Sequence, residues 1–305
     1  MHKVAVLIST YNGEKFFEEQ LDSILKQEAV DVDVYIRDDG SEEKFINVLK
    51  KINNDKVHIA YRENVGVGNS FMQLIYVVPE MYDFYALADQ DDIWYKRKLI
   101  EAIECIKNNR CSLYGSNQQL VDWNGNIGSK RYDEETIVYT NSIGILQKNM
   151  IAGCTMVFPK TFLKVLREEQ NRPSCELLKV RIHDVWIAMV ASLYDGIFYD
   201  CRSFMLYRQH GSNLVGANAS GLKFEIKNKL RKLFDRNKRR GRSKLAKEIV
   251  DKFYDQIKNN KLILIAAKAD TLLGKISLVK YNRFFREYSG ETFILYLIKV
   301  LLGLF

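Results

Sequence analysis

An α/β fold, with a mostly parallel sheet flanked by helices, follows from two features of the first hundred residues. Short apolar runs rich in β-branched residues alternate with segments of helical periodicity, the order that builds a parallel sheet covered on both faces. Three of the four runs end in polar or acidic loops: Thr10-Tyr11-Asn12, Asp38-Asp39, and Asp89 to Asp92. In open parallel sheets ligands bind at the carboxyl ends of the strands.

The elements follow in order. Val4 to Ile8 is a buried strand closed by Ser9-Thr10-Tyr11-Asn12-Gly13. Glu14 to Gln27 carries Phe17, Leu21, Ile24 and Leu25 at helical spacing and reads as an amphipathic helix. Asp33 to Arg37 is a second strand ending in Asp38-Asp39-Gly40-Ser41, followed by a helix from Glu43 to Ile52. Val57 to Tyr61 is a third strand. Asn64-Val65-Gly66-Val67-Gly68-Asn69 then opens a helix from Ser70 to about Val77. Tyr82 to Ala88, aromatic and small apolar, is the fourth strand.

The run Asp89-Gln90-Asp91-Asp92 is the most informative feature. Three carboxylates in four positions repel one another, and burying them unpaired would cost on the order of several kcal/mol. A divalent cation resolves the conflict. Mg²⁺ or Mn²⁺ takes oxygen ligands and is commonly held by one or two carboxylates plus substrate phosphates. A solvated acidic turn is the other reading of these residues.

Together, Ile8-Ser9-Thr10-Tyr11-Asn12-Gly13, Arg37-Asp38-Asp39-Gly40-Ser41, Asn64-Val65-Gly66 and Leu87 to Trp94 resemble glycosyltransferase family 2. The resemblance continues through Gly153 to Phe158, His183-Asp184-Val185-Trp186 and Tyr207 to Asn213, covering about residues 1 to 215. Each motif is weak alone; seven in order make chance improbable. The family consists of inverting nucleotide-sugar transferases with a nucleotide-binding GT-A fold. The subgroup this chain looks most like contains bacterial rhamnosyltransferases.

The resemblance implies roles. Asp89 and Asp91 occupy the D-x-D positions, with Asp91 expected in direct contact with the metal and Asp89 on ribose or metal-bound water. Asp92 would orient Asp91 or a ligand water. Thr10, Tyr11, Glu14 and Asp39 match positions that hold the base and ribose. Asp38 to Ser41 would also serve as a turn and helix cap. Asp184 matches the base that deprotonates the acceptor hydroxyl; on residue type alone it reads as a helix N-cap. His183 would adjust the site or touch the donor phosphates. Trp186 is open between a sugar platform and a core residue. Arg208 and His210 fall in a loop expected to close over the diphosphate, with His210 on the metal or β-phosphate. Gly153-Cys154-Thr155, read as part of a strand, would line the sugar pocket, and residues 116–147 the acceptor cleft.

Length and charge divide the chain into a catalytic domain at 1–220 and a helical, basic extension at 221–305. The extension holds 21 of the 46 Lys and Arg but only 8 of the 38 Asp and Glu. Such an excess points to an anionic surface, and the family motifs favour a membrane over nucleic acid. Lys223 to Phe234 reads as a basic amphipathic helix, Asp235 to Lys244 as a basic link, and Leu245 to Ala269 as one long helix. The apolar end, Phe293 to Phe305, is short for a membrane span and is interrupted by Lys299. It fits an interfacial anchor, or a hairpin packed on the catalytic domain or on a second subunit. Five scattered cysteines fit reduced thiols in the cytosol, with Cys154 a small core residue rather than a nucleophile. No secretory signal pattern is present: the apolar run after Lys3 stops after five residues.

The expected activity is inverting transfer of a sugar onto a glycan or lipid-linked saccharide at the cytoplasmic face of a membrane. The subgroup favours dTDP-L-rhamnose as donor, with a UDP-hexose as the rival. A nucleotidyltransferase would want a glycine-rich, basic loop after the first strand, which Ser9 to Gly13 lacks. A non-catalytic sugar-binding protein would have no need of Asp89, Asp91 and Asp184 together.

Overall fold

The computed structural model describes residues 1–122, 125–133, 137–139, 141–180, 182–209 and 240–305. His210, the loop after it and the expected helix at 223–234 lie outside these residues. The first half of the chain alternates as the sequence predicts: β1 (His2–Thr10), α1 (Phe17–Leu25), β2 (Val30–Asp39), α2 (Glu43–Leu49), β3 (Val57–Arg62), α3 (Val67–Val77) and β4 (Phe84–Ala88). Then come β5 (Ile93–Trp94), α4 (Lys98–Asn109), β6 (Leu113–Val121), β7 (Ile127–Lys130) and β8 (Ile137–Tyr139). They are followed by α5 (Ser142–Gln147), β9 (Val157–Pro159), α6 (Lys160–Arg167), α7 (Cys175–Val180), α8 (His183–Ala191) and β10 (Ile197–Arg208).

The strands form one sheet in the order β3-β2-β1-β4-β9-β6-β10-β5, with β7 on β6 and β8 on β10. β1 pairs in parallel with both β2 and β4, and its register sets Thr10 beside Asp38 and Ile8 beside Ala88. The loops after these three strands therefore meet at one edge. β9 is an antiparallel wedge between β4 and β6. β10 is far longer than the short strand expected near Ser203 to Tyr207, because it pairs along β6.

Both faces of the sheet are covered. Val4, Val6 and Ile8 pack with α1, α2 and α4, while Ala5 and Leu7 pack with α3, α6 and α8. This is the period-two split of a strand buried on two sides. α3 starts three residues before the expected Ser70. Gly66, at φ 83°, takes a left-handed turn that a side chain would resist.

The C-terminal residues form α9 (Gly241–Lys252), α10 (Tyr254–Ile257), α11 (Lys261–Ala267), α12 (Leu272–Lys280), α13 (Asn282–Ser289) and α14 (Phe293–Leu301). The single helix expected from Leu245 to Ala269 is thus three pieces. Phe253 leaves helical geometry at φ −127° and ψ 36° and is buried. Asn260 ends the next turn and caps the following helix, its side chain accepting from Ile263 N at 3.2 Å. Leu245, Ile249, Phe253, Ile263, Leu278, Phe285, Tyr296 and Phe305 join the same apolar core as α3, α5 and α8. The Phe253 ring lies 6.1 Å from that of Trp186, and Asn141 donates to the Tyr288 hydroxyl at 2.5 Å.

Candidate active site

The loops after β1 and β2 are tied together by side chains. Thr10 Oγ1 and Ser41 Oγ donate to Asp38 Oδ1 at 3.2 and 2.5 Å, and the Ser41 N–H donates to Oδ2 at 3.0 Å. Asn12 N donates to Ser41 Oγ at 2.9 Å, and Asn12 Oδ1 accepts from Glu42 N at 2.8 Å. Asp38 is thus the turn-forming residue of Asp38 to Ser41. Asp39 is buried and pairs with the Arg37 guanidinium, itself buried. Asp39 also accepts from Val65 N and Gly66 N, both at 2.9 Å, and so fixes the entry to α3. Glu14 pairs with Lys44 at 2.9 Å, which holds its carboxyl below the usual range. Of the four residues expected on base and ribose, Tyr11 is the one that presents an open ring, 51% exposed.

The acidic loop after β4 is pinned from three sides. Gln90 exchanges two hydrogen bonds with the Tyr11 backbone, accepting from N at 2.9 Å and donating to O at 3.0 Å. Ser23 on α1 accepts from Trp94 N at 3.0 Å. Arg208, at the end of β10, donates through Nε to the Asp91 carbonyl at 3.1 Å and through a terminal nitrogen to Glu19 at 2.7 Å. The Arg208 N–H donates to Asp92 Oδ1 at 3.3 Å. Arg208 thereby fixes the acidic loop to α1.

Within the loop, ligand atoms of Asp89, Asp92 and Cys154 lie within 4.8 Å of one another. Asp91 stands outside this group, half-buried at the rim. Burial and the Asp91 charge push the Asp89 carboxyl up to about 7. Burial, then Asp89 and Asp91, raise Asp92 well above the carboxylate range, and its Oδ2 has no hydrogen-bond partner among the described residues. The site therefore stores mutual repulsion that a cation would relieve. Burial also raises the Cys154 thiol well above its ordinary value, and a neutral thiol is a poor ligand for a hard cation. The carboxylates fit Mg²⁺ or Mn²⁺, with Cys154 as a wall. Cys154 lies in a 3₁₀ turn, Gly153–Thr155, and not in the expected strand, which begins at Val157.

Two cations at the site were not legible in the sequence. Lys98 is fully buried, its Nζ 3.6 Å from the Trp94 ring centre, and burial lowers it to about 8. Arg131, after β7, donates to Gln118 Oε1 at 2.6 Å, and its charge is felt at Asp89, Cys154 and Tyr207. A basic residue closely following an acidic loop was the available signal for Lys98; Arg131 offered none.

Asp184 lies in the first turn of α8, half-buried, with Oδ1 accepting from Val185 N at 2.6 Å. The N-cap position belongs to Ile182, so Asp184 is not the cap. Its charge helps raise Asp89, so the two carboxylates are within electrostatic reach of each other. His183 is buried and stacked on Phe71 at 4.1 Å. Burial lowers it to about 3, so the imidazole is neutral where it packs. Trp186, fully buried against Phe253, is a core residue and not a sugar platform.

The curled α/β sheet, with polar loops gathered at the ends of β1, β2 and β4, is the GT-A architecture of nucleotide-sugar transferases. Residues 5–175 match Glycosyl transferase family 2, and the chain belongs to that family. It is 33% identical over 271 residues to the dTDP-rhamnosyl transferase RfbG of Shigella flexneri, across 84% of this chain and 88% of that protein. An uncharacterised glycosyltransferase of Rickettsia bellii is 27% identical over 70% of this chain, which spans 31% of that longer protein. Among solved structures, S. aureus TarS 1-349 in complex with UDP-GlcNAc superposes with TM-score 0.57 and 18% identity, over 97% of this chain and 81% of that one. Its complex with UDP gives 0.54, over 81% of this chain and 65% of that one.

Proposed function

We propose that this glycosyltransferase moves L-rhamnose from dTDP-rhamnose, with inversion, onto a glycan or lipid-linked saccharide in cell-surface polysaccharide synthesis. The observation that carries the reading is the convergence of Tyr11, Asp89, Asp91 and Asp184 at one sheet edge in a family 2 chain resembling RfbG. Tyr11 offers an open ring for stacking on the base. Asp38 and Asp39 hold the loop around it. Asp89 and Asp91, with Asp92 beside them, would hold Mg²⁺ or Mn²⁺, and the bound cation would supply Lewis-acid stabilisation of the diphosphate as it departs. Asp92 and Arg208 keep that loop in place, and Arg131 lends positive charge beside it. The family resemblance would add His210, which lies outside the described residues, on the metal or the β-phosphate.

Asp184 takes the proton from the acceptor hydroxyl as it attacks the anomeric carbon, opposite the departing diphosphate. A single displacement inverts the anomeric centre. The extension at 221–305 rests the enzyme on the anionic inner face of the cell membrane, where a lipid-linked acceptor would present its sugar. That reading draws on the extension's basic excess.

The test is a panel of nucleotide sugars assayed for transfer or slow hydrolysis, with and without Mn²⁺. Release of dTDP from dTDP-rhamnose, absent with UDP-hexoses, is the expected result. Turnover of a UDP-hexose alone would assign the donor to the rival class.

A further inference from the structure

Apart from Lys299, the side chains of α14 are apolar, and among the described residues most of them are exposed. Tyr296 and Val300 face inward and are buried, whereas Ile294 is 71% exposed, Leu301 61% and Leu302 62%. α12 repeats the pattern: Leu278 is buried, but Leu272 and Leu273 are about three-quarters exposed and Ile276 more than half. The two helices are adjacent. Lys275 Nζ donates to the Leu301 carbonyl at 3.1 Å, and the Tyr296 hydroxyl to the Leu278 carbonyl at 3.3 Å. The exposed leucines and isoleucines therefore form a patch larger than the scattered apolar residues of an ordinary surface.

Charge decides what covers it. Neither α12 nor α14 contains an aspartate or glutamate; Lys275 and Lys280 lie on α12 and Arg283 follows, whereas Lys299 on α14 is paired with Glu291. Beside α12, a groove of about 470 Å³ against α11 is lined by Lys261 and Lys268 together with Leu264, Ile265 and Leu273. A second copy of this chain would bring like charges face to face. Anionic lipid neutralises them and accepts the apolar side chains at the headgroup boundary. Among the described residues no helix is long and apolar enough to cross a membrane, so these helices would meet a bilayer by lying on it.

We propose that the outer faces of α12 and α14, with the lysine-lined groove beside them, are the surface by which this protein docks on an anionic bilayer. Leu273, Ile276, Ile298 and Leu301 enter the headgroup boundary, and Lys261 and Lys268 meet lipid phosphates. This rests on the membrane reading above but assigns the contact to folded helices rather than to the basic segment before α9.

The test is co-sedimentation of the full chain with phosphatidylglycerol–phosphatidylcholine vesicles and with pure phosphatidylcholine. The variant L273Q/I276Q/I298Q/L301Q changes only exposed or rim side chains and leaves every basic residue in place. Its vesicle affinity should fall by about tenfold or more. K261Q/K268Q should weaken binding to anionic vesicles and flatten its salt dependence. Both variants should hydrolyse nucleotide sugar like the parent, so loss of docking and failure of the transferase reading are separable. Unchanged sedimentation of the quadruple variant would overturn the proposal, as would equal binding to both vesicle types. So would a lipid-free dimer that the same substitutions dissociate, because the face would then belong to a second copy.

Discussion

Gly153 lacks the one atom that would collide with His183: a Cβ there would lie 2.5 Å from Nε2 of the imidazole. The ring is stacked on Phe71 and buried, so it has little room to retreat. It also opens α8, the helix that presents Asp184. Gly153→Ala should therefore cost about 1–3 kcal/mol of stability. Transfer should fall more than donor binding, because the base moves and the nucleotide loops do not. Urea unfolding beside kcat and donor Kd checks both halves. A variant with parental stability and rate would show that the ring yields freely.

His183 also makes stability depend on acid. Burial lowers its folded pKa from 6.5 to about 3, and neither ring nitrogen has a hydrogen-bond partner among the described residues. Below pH 6.5 the unfolded chain takes up a proton that the folded chain refuses. Its contribution is thus complete above 6.5 and is lost as pH falls towards about 3, at up to about 1.4 kcal/mol per pH unit. Unfolding free energies of the parent and His183→Leu between pH 7.5 and about 4.5 should converge as pH falls. Parallel curves would mean that the imidazole is protonated in the folded state.

The first four strands were legible because strands buried on both faces read as continuous apolar runs, and their helices show a clear period. The polar strand ends also revealed the edge where ligands bind. β9 was legible as a strand near Gly153 but not in its bounds or pairing, since three residues carry too little pattern and its antiparallel partners, β4 and β6, are distant in sequence. The break at Phe253 is set by the pocket its ring fills rather than by any local helix breaker. Asp38, Asp39 and Glu14 were visible as acids. Asp38 and Asp39 pair locally with Ser41 and Arg37, whereas the pairing of Glu14 with Lys44 depends on neighbouring loops meeting in space. The burial of Lys98, likewise, is a tertiary fact.

Asp91 and Asp92 differ in position, and substitution should separate them. Asp91→Asn, at the rim, should remove the Mn²⁺-dependent part of dTDP binding and leave the unfolding curve unchanged. Asp92→Asn should shift the unfolding curve, because Asp92 is buried and its Oδ1 accepts from Arg208 N. Calorimetric titration with Mn²⁺, and again after chelation by EDTA, reads the first effect. Full Mn²⁺ dependence in Asp91→Asn would remove that residue from the ligand set.

Asp184→Asn should keep donor affinity while transfer drops by about a hundredfold or more, the usual scale of general-base catalysis. The amide is nearly the same shape, so α8 and its core contacts should survive. Proton NMR of the product should show the anomer opposite to the donor's. A retained anomer would exclude a single displacement, and a near-parental rate would leave Asp184 without a chemical role.

The contact between Trp186 and Phe253 restricts how this enzyme can be recombined. Grafting a foreign C-terminal region onto residues 1–220 would strip the cover from an indole two residues beyond Asp184. Exchanges between relatives should therefore succeed when the donor of the new tail brings a bulky apolar side chain to the Phe253 position. Chimaeras lacking one should aggregate, however complete their nucleotide-binding half.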